Sequence, residues 1–304
     1  MDVLSGAVRA RLAEMLAARI TDARRVRRGY TNTERWLVGL SDGRSVFVKV
    51  GVSEFTSREI RNEAHNLEQI RGARFAPMMI GWEDGDQPII ALEDLSHATW
   101  PPPWSPALID RMRDALRALA RYPVPEDTRP LTRWREHLMA WHTIADDPVP
   151  FLSLGVASDG WLERALPVLC DAEARAELDG DDLCHFDVRS DNMCLTDDRA
   201  ILVDWNGLSR GRALFDLAAW APSLHFEGGP SPEELVGHQP EYAAMISGYF
   251  AWSAGRPMED WPGFERIRRV QKEQLTTALP WAIRALELPP LDGHIELSGL
   301  LAVS

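Results

Sequence analysis

The sequence predicts an α+β protein of two lobes, a small β-rich N-terminal lobe over residues 1–95 and a larger helical C-terminal lobe over 96–304. Three observations carry this expectation. Short β-branched and aromatic runs alternate with turn residues as far as Leu95; apolar residues recur at helical spacing after the proline-rich Trp100–Pro103 stretch; and one β-like interruption, at residues 183–204, breaks the helical part.

An opening helix is expected from about Ser5 to Ile20, with Val8, Leu12, Met15, Leu16 and Ile20 on one face. Arg25–Arg28 reads as a first short strand and Trp36–Leu40 as a second, and Ser41-Asp42-Gly43 turns the chain into a third at Ser45–Val50. Thr56-Ser57-Arg58-Glu59 matches a capping box, opening a helix that carries Ile60, Ala64, Leu67 and Ile70 and stops at Gly72. Met78–Trp82 and Pro88–Leu92 flank Glu83-Asp84-Gly85-Asp86 as a second hairpin. Ser105-Pro106 is a good N-cap and first helical position, and helices are expected at 106–122, 131–144, 159–178, 213–224, 240–254 and 262–287. Pro167 and Pro280 are expected to kink or split the helices that contain them.

Thirty-three basic against 46 acidic residues leave a net charge of −13, which argues against a nucleic-acid partner, because a phosphate binder normally carries a basic patch. No apolar run reaches the roughly 20 residues that cross a bilayer, so no membrane partner is expected. The arginine-studded N-terminus lacks the apolar core of a signal peptide. Cys170, Cys184 and Cys194 have no metal-type spacing and are expected as free thiols in a reducing, cytoplasmic setting. Only two of the 33 basic residues are lysine, Lys49 and Lys272. In so arginine-rich a chain each lysine raises the question of why arginine would not serve.

Chemistry concentrates in Leu183–Gly207, LCHFDVRSDNMCLTDDRAILVDWNG. After His185-x-Asp187 and Asn192, the apolar runs Met193–Leu195 and Ile201–Val203 form a short hairpin around the turn residues Asp197 and Asp198, bringing Asn192 and Asp204 near one another. An amide oxygen and a carboxylate are hard ligands suited to magnesium, which takes further ligands from nucleotide phosphates. Asp187, on the preceding loop, is left to orient a substrate hydroxyl and accept its proton. This is the arrangement of phosphoryl transfer in protein kinases. His185 reads as a structural brace of the loop rather than a base. Arg189 either neutralises charge on the transferring phosphoryl group or pairs with Asp191 or Asp187.

Lys49 alternates with Phe47 on one strand face, and an ammonium is a compact point charge for phosphates. It needs an acidic partner. Glu63 lies on the apolar side of the next helix, where a carboxylate is costly unless paired; Glu59 is the competitor, already occupied by the expected capping box. The Gly29–Thr33 loop either covers the phosphates with Thr31, Asn32 and Thr33 or is an ordinary hairpin loop. Neither GxxxxGK[ST] nor GxGxxG occurs. Trp100, Trp104, Trp134 and Trp141 read as packing residues, with the wall of a pocket as the alternative.

GYTNT, VFVKV, the Glu63 helix, IIALEDL, HFDVRSDN, LVDWNG and FDLAAW together resemble the aminoglycoside phosphotransferase and choline kinase family, over residues 29–220. The resemblance implies a protein-kinase-like fold: a nucleotide-binding N-terminal lobe, a hinge at about 93–96, and a helical lobe with the catalytic loop and acceptor site. It implies Asp187 as the catalytic base with Arg189 at its side, Asn192 and Asp204 as magnesium ligands, and Lys49 with Glu63 as the phosphate clamp. It further implies that the backbone of Glu93, Asp94 and Leu95 holds adenine and that Asp216 is a buried support of the catalytic loop. Phe186 replaces the glycine often found between the motif's histidine and aspartate, and Trp205 stands where protein kinases carry phenylalanine. Neither change removes a functional group. No Ala-Pro-Glu segment follows Asp204, which argues against a protein kinase.

The expectation is therefore an ATP- and Mg2+-dependent kinase of a small-molecule hydroxyl, with GTP left open as donor, in a monomer or weak homodimer. An amine-bearing, aminoglycoside-like acceptor is expected because Glu227, Glu233, Glu234, Glu241, Glu259 and Asp260 lie in the segment that would face it. The local alternative is that these acids are solvated helix starts. A choline-, sugar- or homoserine-type metabolite kinase, and a nucleotide-binding pseudokinase acting through partners, are the rival readings.

Overall fold

A computed structural model describes residues 3–27, 29–257 and 264–293. In chain order the first elements are helix α1 (Gly6–Met15), strands β1 (Ile20–Arg25), β2 (Glu34–Leu40) and β3 (Ser45–Val50), helix α2 (Glu54–Gln69), and strands β4 (Met79–Glu83) and β5 (Ile89–Glu93). Helices α3 (Pro106–Ala120), α4 (Arg135–Leu138), α5 (Ala140–Asp146), α6 (Val149–Leu152) and α7 (Asp159–Ala174) follow. Next come strands β6 (Asp182–Cys184), β7 (Met193–Leu195), β8 (Ala200–Leu202) and β9 (Ser209–Gly211). Helices α8 (Leu214–Phe226), α9 (Pro232–Val236), α10 (Pro240–Gly255) and α11 (Phe264–Ala285) lie after them. The chain divides into two compact units, Met1–Pro101 with Asp191–Leu208, and Pro102–Ser190 with Ser209–Ser304.

In the first unit the five strands form one antiparallel sheet in the order β1-β2-β3-β5-β4. Period-two alternation sends Val46, Val48 and Val50 of β3 into a core with Trp36, Val38, Ile89 and the α1 residues Val8 and Leu12. Lys49 is thereby turned to the opposite face, toward α2, as its bonds to Glu63 show. The β7–β8 hairpin belongs to this unit, where Cys194 and Ile201 pack with Leu95. In the second unit β6 pairs with β9. Its core gathers α5, α7, α8, α10 and α11 around Trp141, Trp161, Phe215, Met245 and Trp281. This is the mixed α+β class the sequence predicts. No helix among the described residues is long and apolar enough to cross a membrane.

Several boundaries differ from expectation, each for a local physical reason. Helix α1 ends at Met15 because Ala17 takes a positive φ of 50°, which frees Ile20 to begin β1. That strand runs Ile20–Arg25 rather than Arg25–Arg28, and Arg28 lies outside the described residues. As an edge strand with polar residues between Ile20 and Arg25, it carries little of the apolar alternation that reveals a strand. The α2 cap is Ser53, whose hydroxyl accepts from Thr56 N while Thr56 Oγ1 accepts from Ser53 N. Glu59 therefore has no part in the capping box. The expected 131–144 helix is broken into a 3-10 turn at Leu131–Trp134, α4 and α5. The buried Glu173 carboxylate accepts from Trp141 N and His142 N, satisfying the first amides of α5 as a start of its own. Pro167 and Pro280 lie inside α7 and α11 and split neither. Both prolines, and Glu163 and Thr276 four residues before them, are exposed or half-buried, where water can take the freed carbonyls.

Candidate functional site

Strands β2 and β3 are mirrored about the turn at Asp42, which sets Arg35 directly opposite Lys49. Residues paired in this way share a face of the sheet. The Lys49 ammonium donates to Glu63 Oε2 at 2.7 Å, Glu63 Oε1 at 2.8 Å and Asp204 Oδ1 at 2.9 Å. Lys49 is 8% and Glu63 1% exposed, so these are charges taken almost wholly out of water. Burial alone would lower the Lys49 pKa, but Asp204 and Glu63 together hold it above the ordinary lysine value. One ammonium shared by two acids leaves the acids short of positive charge. Burial pushes the Glu63 carboxyl up, Lys49 pulls it back, and Asp204 adds to the rise. The side chain of Glu59, the rival partner, has no hydrogen-bond partner among the described residues and is pushed up by its own burial and by Asp204.

Asp204 begins the Trp205–Gly207 turn with a left-handed φ of 70°, a conformation that aspartate tolerates better than most residues. The turn is held against α2, where Asn66 Nδ2 donates to Trp205 O at 2.6 Å. Asn206 Nδ2 donates to Asp204 Oδ1 at 3.3 Å. Asn192, 5% exposed, stands at the open end of the same hairpin, its carbonyl accepting from Val203 N at 2.9 Å. Asn192 and Asp204 are thus tethered as a pair by one ladder. An amide oxygen and a partly exposed carboxylate are donors that fit a hard divalent ion.

The predicted loop residues Thr31 and Thr33 bond to each other through their hydroxyls at 2.9 Å. Arg35 closes over them, donating to Thr31 O at 3.3 Å, Thr33 O at 3.0 Å and Thr31 Oγ1 at 3.1 Å. Asn32 between them is exposed. Burial lowers the Arg35 pKa, while Asp204 and Glu63 oppose the fall. Sequence reasoning passed over Arg35, although the signal was present: it stands as far before Asp42 as Lys49 stands after it. At the predicted hinge the side chains face away from any ligand duty. Glu93 pairs with Arg199 at 2.6 Å and accepts from Met78 N, and Asp94 accepts from Ser96 N. The Leu95 carbonyl accepts from Ala98 N and Trp100 Nε1.

In the second unit, the loop carrying Asp187 is organised by a buried acid. Asp216, 2% exposed, accepts from His185 N at 2.6 Å and Phe186 N at 2.9 Å. Burial pushes its carboxyl up to about 7, against the pull of those two amides. Phe186 has a φ of 79°, which explains the usefulness of glycine at this place. The phenyl ring is clamped between Trp134 and Phe215, at centroid separations of 4.7 and 5.8 Å. Trp134 is therefore a packing residue of this loop, and Trp141 is buried in the core. Arg189 Nε lies 3.3 Å from Asp187 Oδ1, so the pairing reading of Arg189 describes its position here. His185 is fully buried.

The acids expected to face an acceptor divide. Glu233 pairs with Arg284 at 2.7 Å, Glu234 forms a capping box with Ser231, and Glu241 sits in the first turn of α10 with Arg175 at 4.0 Å. These three have local roles. Glu259 and Asp260 lie outside the described residues. Among the described acids, Glu227 is linked to the Asp187 loop: Trp104 Nε1 donates to Glu227 Oε2 at 2.7 Å and to Ser190 Oγ at 3.3 Å. The cysteines are free; burial pushes the thiols of Cys170 and Cys194 up to about 11 and about 12 and that of Cys184 further, so none is poised as a thiolate.

Comparison with known proteins extends over both units. The sequence profile described as the phosphotransferase enzyme family matches residues 22–258. Among solved structures, a choline/ethanolamine kinase family protein from Mesorhizobium loti superposes with a TM-score of 0.61 at 17% identity, covering 92% of this chain and 97% of that one. A putative fructosamine-3-kinase from Thermobifida fusca gives 0.55 at 19% identity, covering 93% and 100%. A thermostable aminoglycoside phosphotransferase mutant, in ternary complex with ADP and hygromycin B, gives 0.56 at 15% identity, covering 92% and 98%. At these identities the structures establish a shared protein-kinase-like fold. No curated protein matches the chain. With the profile running through both the Lys49 sheet and the Asp187 loop, the chain belongs to the phosphotransferase enzyme family and is a small-molecule kinase.

Proposed function

We propose that this enzyme transfers the γ-phosphoryl group of ATP to a hydroxyl of an amine-bearing small molecule. The observation that carries the nucleotide half is Lys49, a buried ammonium anchored by Glu63 and Asp204 at 2.7–2.9 Å. A lysine held in this way is a fixed positive charge for nucleotide phosphates. Adenine lies against the hinge backbone at Glu93–Leu95, where the Glu93 and Asp94 side chains are committed to Arg199, Met78 and Ser96 and the Leu95 carbonyl to Ala98 and Trp100. Asn192 and Asp204 would hold magnesium, which when bound supplies charge neutralisation at the phosphates.

Asp187 accepts the proton of the acceptor hydroxyl as its oxygen attacks phosphorus and the bond to the ADP leaving group breaks. Arg189, 3.3 Å away, holds that carboxylate in place, and Asp216 fixes the loop through two amides. The amine preference rests on Glu227, which Trp104 links to Ser190, three residues beyond Asp187. Glu273 lies within its field and is pushed up by burial, with Glu227 adding to the rise. The hygromycin B complex of the structural neighbour supports the same class of acceptor.

The test is ATP and GTP consumption by the purified enzyme against aminoglycosides, other cationic antibiotics, amino alcohols and neutral sugars. The proposal expects turnover on a cationic acceptor whose kcat/KM falls as ionic strength rises. A neutral sugar as the best acceptor overturns the amine preference and leaves the kinase standing.

A further inference from the structure

The Lys49 face of the sheet carries a second, half-buried cation that the kinase mechanism does not use. Arg35 is the direct cross-strand partner of Lys49 and lies on the same face. A half-buried guanidinium is costly unless it is bonded or faces an opposite charge. Arg35 does both: it donates to Thr31 O, Thr33 O and Thr31 Oγ1, and the acids whose fields reach it are Asp204 and Glu63, the two acids that hold Lys49.

The contact with the loop is close. At Gly29, whose φ is 94°, a β-carbon would be strained and would fall 2.7 Å from Arg35 Cζ, pushing the guanidinium aside. In a trans peptide the carbonyl and the next amide point opposite ways. Turning the Thr31 carbonyl onto Arg35 therefore turns the Asn32 amide away from it. These three bonds engage at most three of the five N–H groups of an arginine. The remainder have no hydrogen-bond acceptor among the described residues, on a side chain that shares its face with the phosphate-binding lysine.

We propose that Arg35 is a positioning residue of the nucleotide site: it locks the Gly29–Thr33 loop and adds to Lys49 a second positive charge for the nucleotide's phosphates. The inference rests on the nucleotide reading of this unit. Its effect is confined to phosphate-bearing ligands, because the adenine end is held by a different part of the sheet.

Calorimetric titration of adenosine, ADP and ATP into the parent enzyme and Arg35→Gln, with magnesium present, tests it. The glutamine variant is expected to weaken ATP and ADP by about 10- to 100-fold, the worth of a charge-assisted contact, and adenosine by less than about threefold. In steady state the KM for ATP rises while the KM for the acceptor holds. Arg35→Lys, which keeps the charge and loses the fork, falls between parent and Gln for ATP and decides the matter if Arg35→Gln fails to fold. Equal loss for adenosine and ATP means a merely structural role, and unchanged ATP affinity means none; either overturns the proposal while leaving the kinase reading intact. A parent enzyme that binds no nucleotide overturns both.

Discussion

Lys49 and Glu63, fourteen residues apart in the chain, meet through two hydrogen bonds of 2.7 and 2.8 Å, with Lys49 also bonded to Asp204. The three charges are unequal in what their loss leaves behind. Without Lys49, the buried Glu63 and the partly exposed Asp204 lose the cation between them; without Glu63, Lys49 still has Asp204. Lys49→Ala is expected to lower stability by about 3–5 kcal/mol in urea unfolding, and Glu63→Ala by clearly less. Each should weaken catalysis, and the double variant should lose much less than the sum. Additive losses would mean that the pair does not act as a unit.

Asp187→Asn is expected to keep its fold and nucleotide affinity and to lose roughly 10²–10⁴ in turnover, the usual worth of a positioned base. Circular dichroism and a nucleotide titration establish the first part, and steady-state rates on the best acceptor the second. Full turnover in this variant removes Asp187 from the mechanism.

Asp204→Ala is expected to abolish the magnesium-dependent part of nucleotide affinity, measured as the difference between titrations with magnesium and with chelator. It also takes one of the two acids from Lys49. An undiminished magnesium effect would leave Asp204 as a partner of Lys49 alone.

Two buried carboxyls, Asp216 and Glu173, are pushed up to about 7 by burial. Between the ordinary carboxylate range and pH 7 the folded protein holds protons on them that the unfolded chain has released. Fewer protons on the unfolded chain means that unfolding free energy falls as pH rises through this window, by up to about 1.4 kcal/mol per pH unit for each group, and levels off above it. Urea unfolding at pH 5, 6, 7 and 8 measures this slope. Asp216→Asn, which cannot ionise, should reduce it. A parent stability that rises across the window contradicts the assignment.

Phe186 sets backbone strain against stacking. Phe186→Gly relieves a φ of 79° but removes the ring between Trp134 and Phe215. We expect stacking to outweigh strain, with a net destabilisation of roughly 1–3 kcal/mol in chemical unfolding. A stabilised glycine variant would reverse that order.

The sequence alone was enough for the class of fold, because alternation in Val46–Val50 and helical spacing in Ile60–Leu67 are set by which side chains must leave water. It was enough for the Lys49–Glu63 pair, because a carboxylate on an apolar helix face has to be paired. It was not enough where a distant group satisfies a local need. Glu173 ends one helix and starts another by accepting amides from Trp141 and His142, more than thirty residues away. Arg284 and Ser231 claim acids that composition alone assigns to a ligand. Arg35 gains its surroundings only when β2 folds back on β3 and α2 packs across that face. Burial patterns and short-range caps are written in neighbouring residues, whereas the partner of a buried charge is decided by whatever the folded chain brings to it.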